Sequence, residues 1–162
     1  MTAPVFVPIP HLVAIAWLKS LDFLAPYVGL RDIAQKYQPP ATWQETYAIT
    51  CNVVTPRAHQ YAPLKLPIVQ IDVFGRPVQT TAGPKTPWNT CAAIAELIAE
   101  ETYNPINLGE VEVGGPTVMR AKVGNISLVR APNVVGRADA SQLARASLDV
   151  QISYTPVYGE LS

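Results

Sequence analysis

Residues 144–155 read Ala-Arg-Ala-Ser-Leu-Asp-Val-Gln-Ile-Ser-Tyr-Thr. Leu148, Val150, Ile152 and Tyr154 alternate with Ser147, Asp149, Gln151 and Ser153. A period of two puts an apolar row on one face of a sheet and a polar row on the other. Such a strand cannot stand alone. Its backbone N–H and C=O groups need neighbouring strands, and its apolar row needs a covering layer. Segments 47–54, 66–74 and 125–130 can supply the strands, and two amphipathic helical segments can supply the cover.

Taken in order, the chain opens with a proline-spaced apolar stretch, residues 1–10, with Val5, Phe6, Val7 and Ile9 between Pro4, Pro8 and Pro10. The prolines forbid a helix there, so an extended arm is expected. Pro10 is a start signal for a helix to about Phe23, with Leu12, Ile15, Leu18 and Asp22 on one stripe and Val13, Ala16 and Trp17 beside it. Val28 and Gly29 suggest a short strand with Leu30, residues 31–38 a polar connector, and Pro39-Pro40 a break.

In the strand expected at 47–54, Tyr47, Ile49, Cys51 and Val53 share a face. After a loop at 55–63, a strand at 66–74 returns with Val69, Ile71 and Val73 inward. Residues 75–87, rich in Thr, Pro and Gly, read as a loop. A second helix is expected from Trp88 or Asn89 to Glu101, burying Cys91, Ile94, Leu97 and Ile98 and facing Glu96, Glu100 and Glu101 to water. Short strands follow at 109–113 and 118–123. Gly124-Asn125 reads as a tight turn into a strand at 126–130, and 132–142 as another loop. This divides the chain into an arm (1–10), one domain (11–158) and a short tail (159–162).

Charge separates this chain from an ordinary monomer. Charged residues make up only 15%, and 12 basic residues cancel 12 acidic ones. Lone soluble domains usually expose more charge, so partners are expected to cover part of the surface. The 16 prolines exceed the usual share of about 5% and stiffen the connections. The apolar N-terminal run has no basic residues before it and is broken by Pro8 and Pro10, so no signal peptide is expected. No apolar stretch approaches the ~20 residues of a membrane span.

Chemistry is harder to place. His11 and His59 have no carboxylate or thiol at ligand spacing, so no metal site is expected. Cys51 and Cys91 read as small buried thiols, with a disulfide open only if strand and helix meet. No nucleophile elbow surrounds a serine, and the glycines form no phosphate loop. Hence no catalytic residue and no cofactor is nominated, and an enzyme reading has no residue set to name. Arg120, Lys122, Arg130, Arg137 and Arg145 give the C-terminal third a basic bias. Nucleic acid is one partner for it; a solvated sheet edge, or acidic groups on another subunit, is the preferred one.

The order of elements carries a resemblance. A helix containing Ala-Trp-Leu-Lys (16–19) is followed by a proline-rich connector and a strand pair ending in Ile-Asp-Val-Phe-Gly (71–75). Then come a helix with Ala-Ala-Ile-Ala-Glu-Leu-Ile (92–98), short strands, and the closing Ala-Arg-Ala-Ser-Leu-Asp-Val-Gln-Ile (144–152). This order resembles the tail terminator proteins of long-tailed (siphovirus) bacteriophages, particularly those of actinobacterial hosts, across residues 9–154. The family's loop after the first central strand often carries a Gly pair; here Thr55-Pro56-Arg57-Ala58-His59 stands instead.

The resemblance implies an α/β (α+β) fold: a single mixed, mainly antiparallel β-sheet with two main helices packed on it, long loops and an extended N-terminal arm. It also implies a structural virion protein of the neck, not an enzyme, assembled in the bacterial host cytoplasm. Six copies would form a ring on the head-proximal end of the tail tube, stop tube polymerisation and meet the head–tail connector or stopper protein. Double-stranded DNA would pass through the lumen without specific binding, and no membrane is involved. Another ring-forming neck or tail component, such as a connector, a stopper or a tail tube subunit, is the alternative. For the interfaces, the arm residues Val5, Phe6 and Val7 and the loop-borne Arg57, Tyr61, Arg76, Trp88 and Arg137 are nominated, because Arg and aromatic side chains supply most interface energy.

Overall fold

The computed structural model describes residues 8–29, 32–34, 45–58, 63–104, 108–114, 119–135 and 143–157. Helix α1 (Pro10–Lys19) begins where Pro10 occupies the first turn, a position whose N–H has no intrahelical partner in any case. The Leu12 and Val13 amides donate to the Ile9 carbonyl at 3.1 and 3.2 Å. Val13, Ala14, Ile15, Trp17 and Leu18 are buried. The helix stops at Lys19, where the Ser20 hydroxyl donates to the Trp17 carbonyl at 2.5 Å. A 3-10 turn (Asp22–Leu24) follows.

Strand β1 (Ile33–Ala34) lies parallel to β2 (Tyr47–Thr55), which turns back antiparallel into β3 (Ile68–Gly75). A small separate sheet pairs β4 (Val78–Thr80) with β5 (Gly83–Lys85). Helix α2 (Trp88–Glu101) then precedes β6 (Gly109–Val113), β7 (Met119–Val134) and β8 (Ala144–Pro156). The main sheet runs β1-β2-β3-β8-β7-β6. It is mainly antiparallel, and with two helices packed on it the fold is mixed α+β.

The strand that follows all its partners in the chain therefore sits between them. β8 pairs β3 on one side (Ile71↔Leu148) and β7 on the other (Ile126↔Ile152). Its apolar row, Leu148, Val150, Ile152 and Tyr154, is buried in the main core with Ile71, Val73, Trp17, Leu18, Ile94 and Ile98. Each fully buried side chain of that size contributes about 1.5–3 kcal/mol of burial free energy.

The structure corrects several expectations. α1 ends short of Phe23, and Asp22 is exposed, so it belongs to no buried stripe. Val28 and Gly29 form no strand; the short strand lies at Ile33–Ala34. Leu97 is 43% exposed, and Ala95 and Ala99 take its place in the buried face of α2. Small residues there let the helix approach the sheet closely. The loop at 75–87 contains a hairpin. The two strands expected at 118–123 and 126–130 are one continuous strand, and Gly124-Asn125 is not a turn: a register shift between Val123 and Asn125 absorbs the extra residue. Pro132, Asn133 and Val134 belong to that strand rather than to a loop.

Candidate interface surfaces

The first surface lies at Pro8; the extended arm expected before it, residues 1–7, lies outside the described residues. Pro8 is buried, and the Tyr154 hydroxyl donates to its carbonyl oxygen at 3.0 Å. Burial pushes the Tyr154 phenol up to about 12. Lys65 bridges to Tyr154 through two main-chain bonds (Lys65 N–H to O at 2.8 Å, Tyr154 N–H to O at 3.0 Å), and Ala58 bridges to Lys65. A groove of about 380 Å³ opens here, lined by Pro8, Ile9, Pro56, Arg57, Lys65 and Tyr154 among others. Its walls are mostly apolar, with Arg57 and Lys65 as the cationic members. Ile9 is 45% exposed, and Arg57 is exposed as well.

The second surface is the sheet face away from the core cluster. Asp72, only 1% exposed, accepts from the Arg145 Nε and Nη2 at 3.2 Å each and from the Gln70 Nε2 at 2.9 and 3.1 Å. Arg145 also lies over the Phe74 ring, 5.6 Å from its centroid. One register step along, Arg130 grips Asp149 through Nε (2.9 Å) and Nη2 (3.0 Å), and Nη2 also reaches the Ser147 hydroxyl at 2.8 Å. Its Nη1 donates to the Asn133 side-chain oxygen. The hydrogen bond to Asp149 pushes the Arg130 guanidinium further up. Arg120 pairs with Glu110 at 3.3 Å. Among the described residues, Arg120, Arg130 and Arg145 of the basic run are thus each paired with a carboxylate of the same chain.

The third surface is an unfilled sheet edge. β6 pairs only Met119–Val123 of β7, so the strand beyond Val123 has β8 on one side and, among the described residues, no strand on the other. Val129 is 52% exposed there.

Burial shifts both thiols and one histidine. Cys51 and Cys91 are free, buried and held protonated by burial, Cys91 pushed up to about 12 and Cys51 higher still. Burial lowers His11. Among the described residues no group of three or more His, Cys, Asp or Glu could hold a metal ion, and no helix is long and apolar enough to cross a membrane. Comparison with protein-family models and with curated protein sequences found no match.

Of the nominated interface residues, Arg57 lies on the groove at Pro8. Trp88 is half-buried against the core at the start of α2, so its ring serves the fold first. Arg76 is half-buried and its amide donates to the Thr46 carbonyl at 2.8 Å. Val5, Phe6, Val7, Tyr61 and Arg137, together with His59, lie outside the described residues. The sequence reading missed Lys65 and Tyr154 as groove walls. The apolar alternation marked Tyr154 for the core, but nothing local signals that its hydroxyl meets Pro8.

Proposed function

We propose that this chain is a structural subunit that self-associates into a ring on the head-proximal end of a phage tail tube, ends tube growth and joins the tail to the head–tail connector. The observation that carries the reading is the anchoring of Pro8. Pro8 is tied to Tyr154 beside a groove of mostly apolar lining, and the residues leading away from Pro8 include Val5, Phe6 and Val7. An apolar segment that directly precedes a groove residue in the chain is suited to contact between copies. The order of elements and the low charge support the same reading. The lumen would carry DNA by weak, salt-sensitive contact, since tight phosphate binding would impede passage.

Electron microscopy of the purified protein, alone and mixed with tail tubes, tests this. Rings seated at one end of each tube are expected. Rings found only on isolated heads would favour a connector or stopper, and copies repeated along the tube a tube subunit. A protein that neither forms rings nor joins tubes would end the proposal.

A further inference from the structure

We infer that the β4–β5 hairpin of one copy adds as a strand to the open edge of β7 in the next copy. The inference rests on the self-association in the reading above, but not on tails or tubes.

The acceptor edge can be worked out from the pairing of β8. The Ile152 and Tyr154 amides donate toward the β3 side, to the carbonyls of Pro67 (3.1 Å) and Lys65 (3.0 Å). In an antiparallel strand, alternate residues point both main-chain groups the same way. Gln151 and Ser153 therefore face β7, and their partners Ser127 and Asn125 are the hydrogen-bonded ones. The residues between, Ile126 and Leu128, aim N–H and C=O away from β8, to the side where β6 has ended and no strand lies among the described residues. An unpaired edge of this kind is a template for another strand.

The donor is the hairpin. Among the described residues, β4 and β5 pair with each other alone. Val78, Gln79, Thr80, Pro84 and Lys85 are all exposed. A two-stranded hairpin without a packed face is marginal in water; among the described residues this one is held by its own ladder and a bond from the Thr80 hydroxyl to the Gly83 carbonyl at 2.6 Å. Pro84 stands opposite Gln79 and has no N–H, so that pair is not the hydrogen-bonded kind. Gln79 must then point its N–H and C=O out of the hairpin, as Ile126 and Leu128 do from β7.

Charge selects a second copy as the occupant. The hairpin carries Lys85 and no acidic residue. Helix α2, which packs on β7, exposes Glu96 and Glu100. Hairpin and edge are different patches of one chain, so their contact is heterologous and propagates head to tail, closing into a ring if the rotation permits.

Cysteine pairs test this in the full chain. Whichever of Ile126 and Leu128 Gln79 faces, either Val78 or Thr80 falls opposite Ser127. Ser127→Cys combined with Val78→Cys, or with Thr80→Cys, should give a ladder of covalent oligomers on a non-reducing gel for one of the two pairs, and each single variant should give none. Gln79→Pro removes the outward N–H from an exposed strand. It should weaken self-association in sedimentation about tenfold, the scale of one main-chain hydrogen bond, with the thermal melt unchanged. Association without cross-links from either pair, or unaffected by Gln79→Pro, overturns the inference and leaves the ring reading standing. Cross-linked rings that never join tubes uphold the inference and end the tail reading. A protein monomeric at every concentration ends both.

Discussion

Tyr154 donates its phenolic proton to the carbonyl of Pro8 across 3.0 Å, tying the start of the described chain to the end of the central strand. Both groups are buried, so removing the donor leaves a carbonyl without its partner. Tyr154→Phe is expected to cost about 1–3 kcal/mol and to make the segment before Pro10 easier to cleave. Denaturant unfolding and limited proteolysis measure the two effects. Unchanged values in both would mean that the bond holds nothing in place.

Asp72 and Arg145 form a pair whose carboxylate is almost fully buried while the guanidinium side chain stays about one-third exposed. The exposed partner can return to water, whereas an unpaired buried Asp72 cannot. Arg145→Ala is therefore expected to destabilise more than Asp72→Ala. Breaking a wholly buried pair costs about 3–5 kcal/mol, and partial exposure places Arg145→Ala toward the lower end. Urea midpoints of the two variants decide the order, and a larger loss for Asp72→Ala would reverse the argument.

Alkaline pH should unfold this protein through its thiols. In the unfolded chain the two cysteines lose their protons near pH 9.0; folded Cys91 keeps its proton to about 12 and Cys51 beyond that. Tyr154, ordinarily at 10.0, keeps its proton to about 12. Folded values above unfolded ones mean that stability is intact below pH 9 and falls from there toward pH 12. Thermal melts between pH 7 and 11 should show it, with a shallower decline in Cys51→Ala. Equal slopes would assign the alkaline loss to other groups.

Gly75 leaves room for the start of α2. A Cβ there would lie 2.6 Å from Cys91 Sγ and 2.8 Å from Pro87 Cγ, closer than van der Waals contact allows. Gly75→Ala should cost about 1–3 kcal/mol by overpacking. Adding Cys91→Ala should recover part of that loss, and a double-mutant cycle reads the coupling. Additive effects would mean that Pro87 alone carries the clash.

The strands with clean alternation were legible: β2, β3 and β8 lie within two residues of where their apolar rows placed them. The bounds of α2 were also visible, because Pro87 and the apolar spacing bracket it. Leu97 was not, because spacing alone cannot tell that Ala95 and Ala99 sit closer to the sheet. β7 was split because Gly-Asn between two apolar runs has the chemistry of a turn; the length of its partner β8, which the local sequence does not reveal, keeps the strand going. The hairpin at Val78–Lys85 was hidden by Pro84 and by its brevity. The salt bridges joining Asp72 to Arg145 and Arg130 to Asp149 depend on register across the sheet and had no local signal.

The central position of β8 also makes the domain separable. β2–β3 and β6–β7 are each antiparallel pairs of neighbours in sequence, yet in the main sheet β3 and β7 meet only through β8. Without that strand the two halves share no ladder among the described residues, and the apolar row of β3 loses Leu148, Val150 and Ile152 beside it. A chain stopped before residue 143 should stay open until a peptide carrying residues 143–157 is supplied in trans. The fold therefore contains its own split-protein reporter, in which complementation by one strand restores the whole.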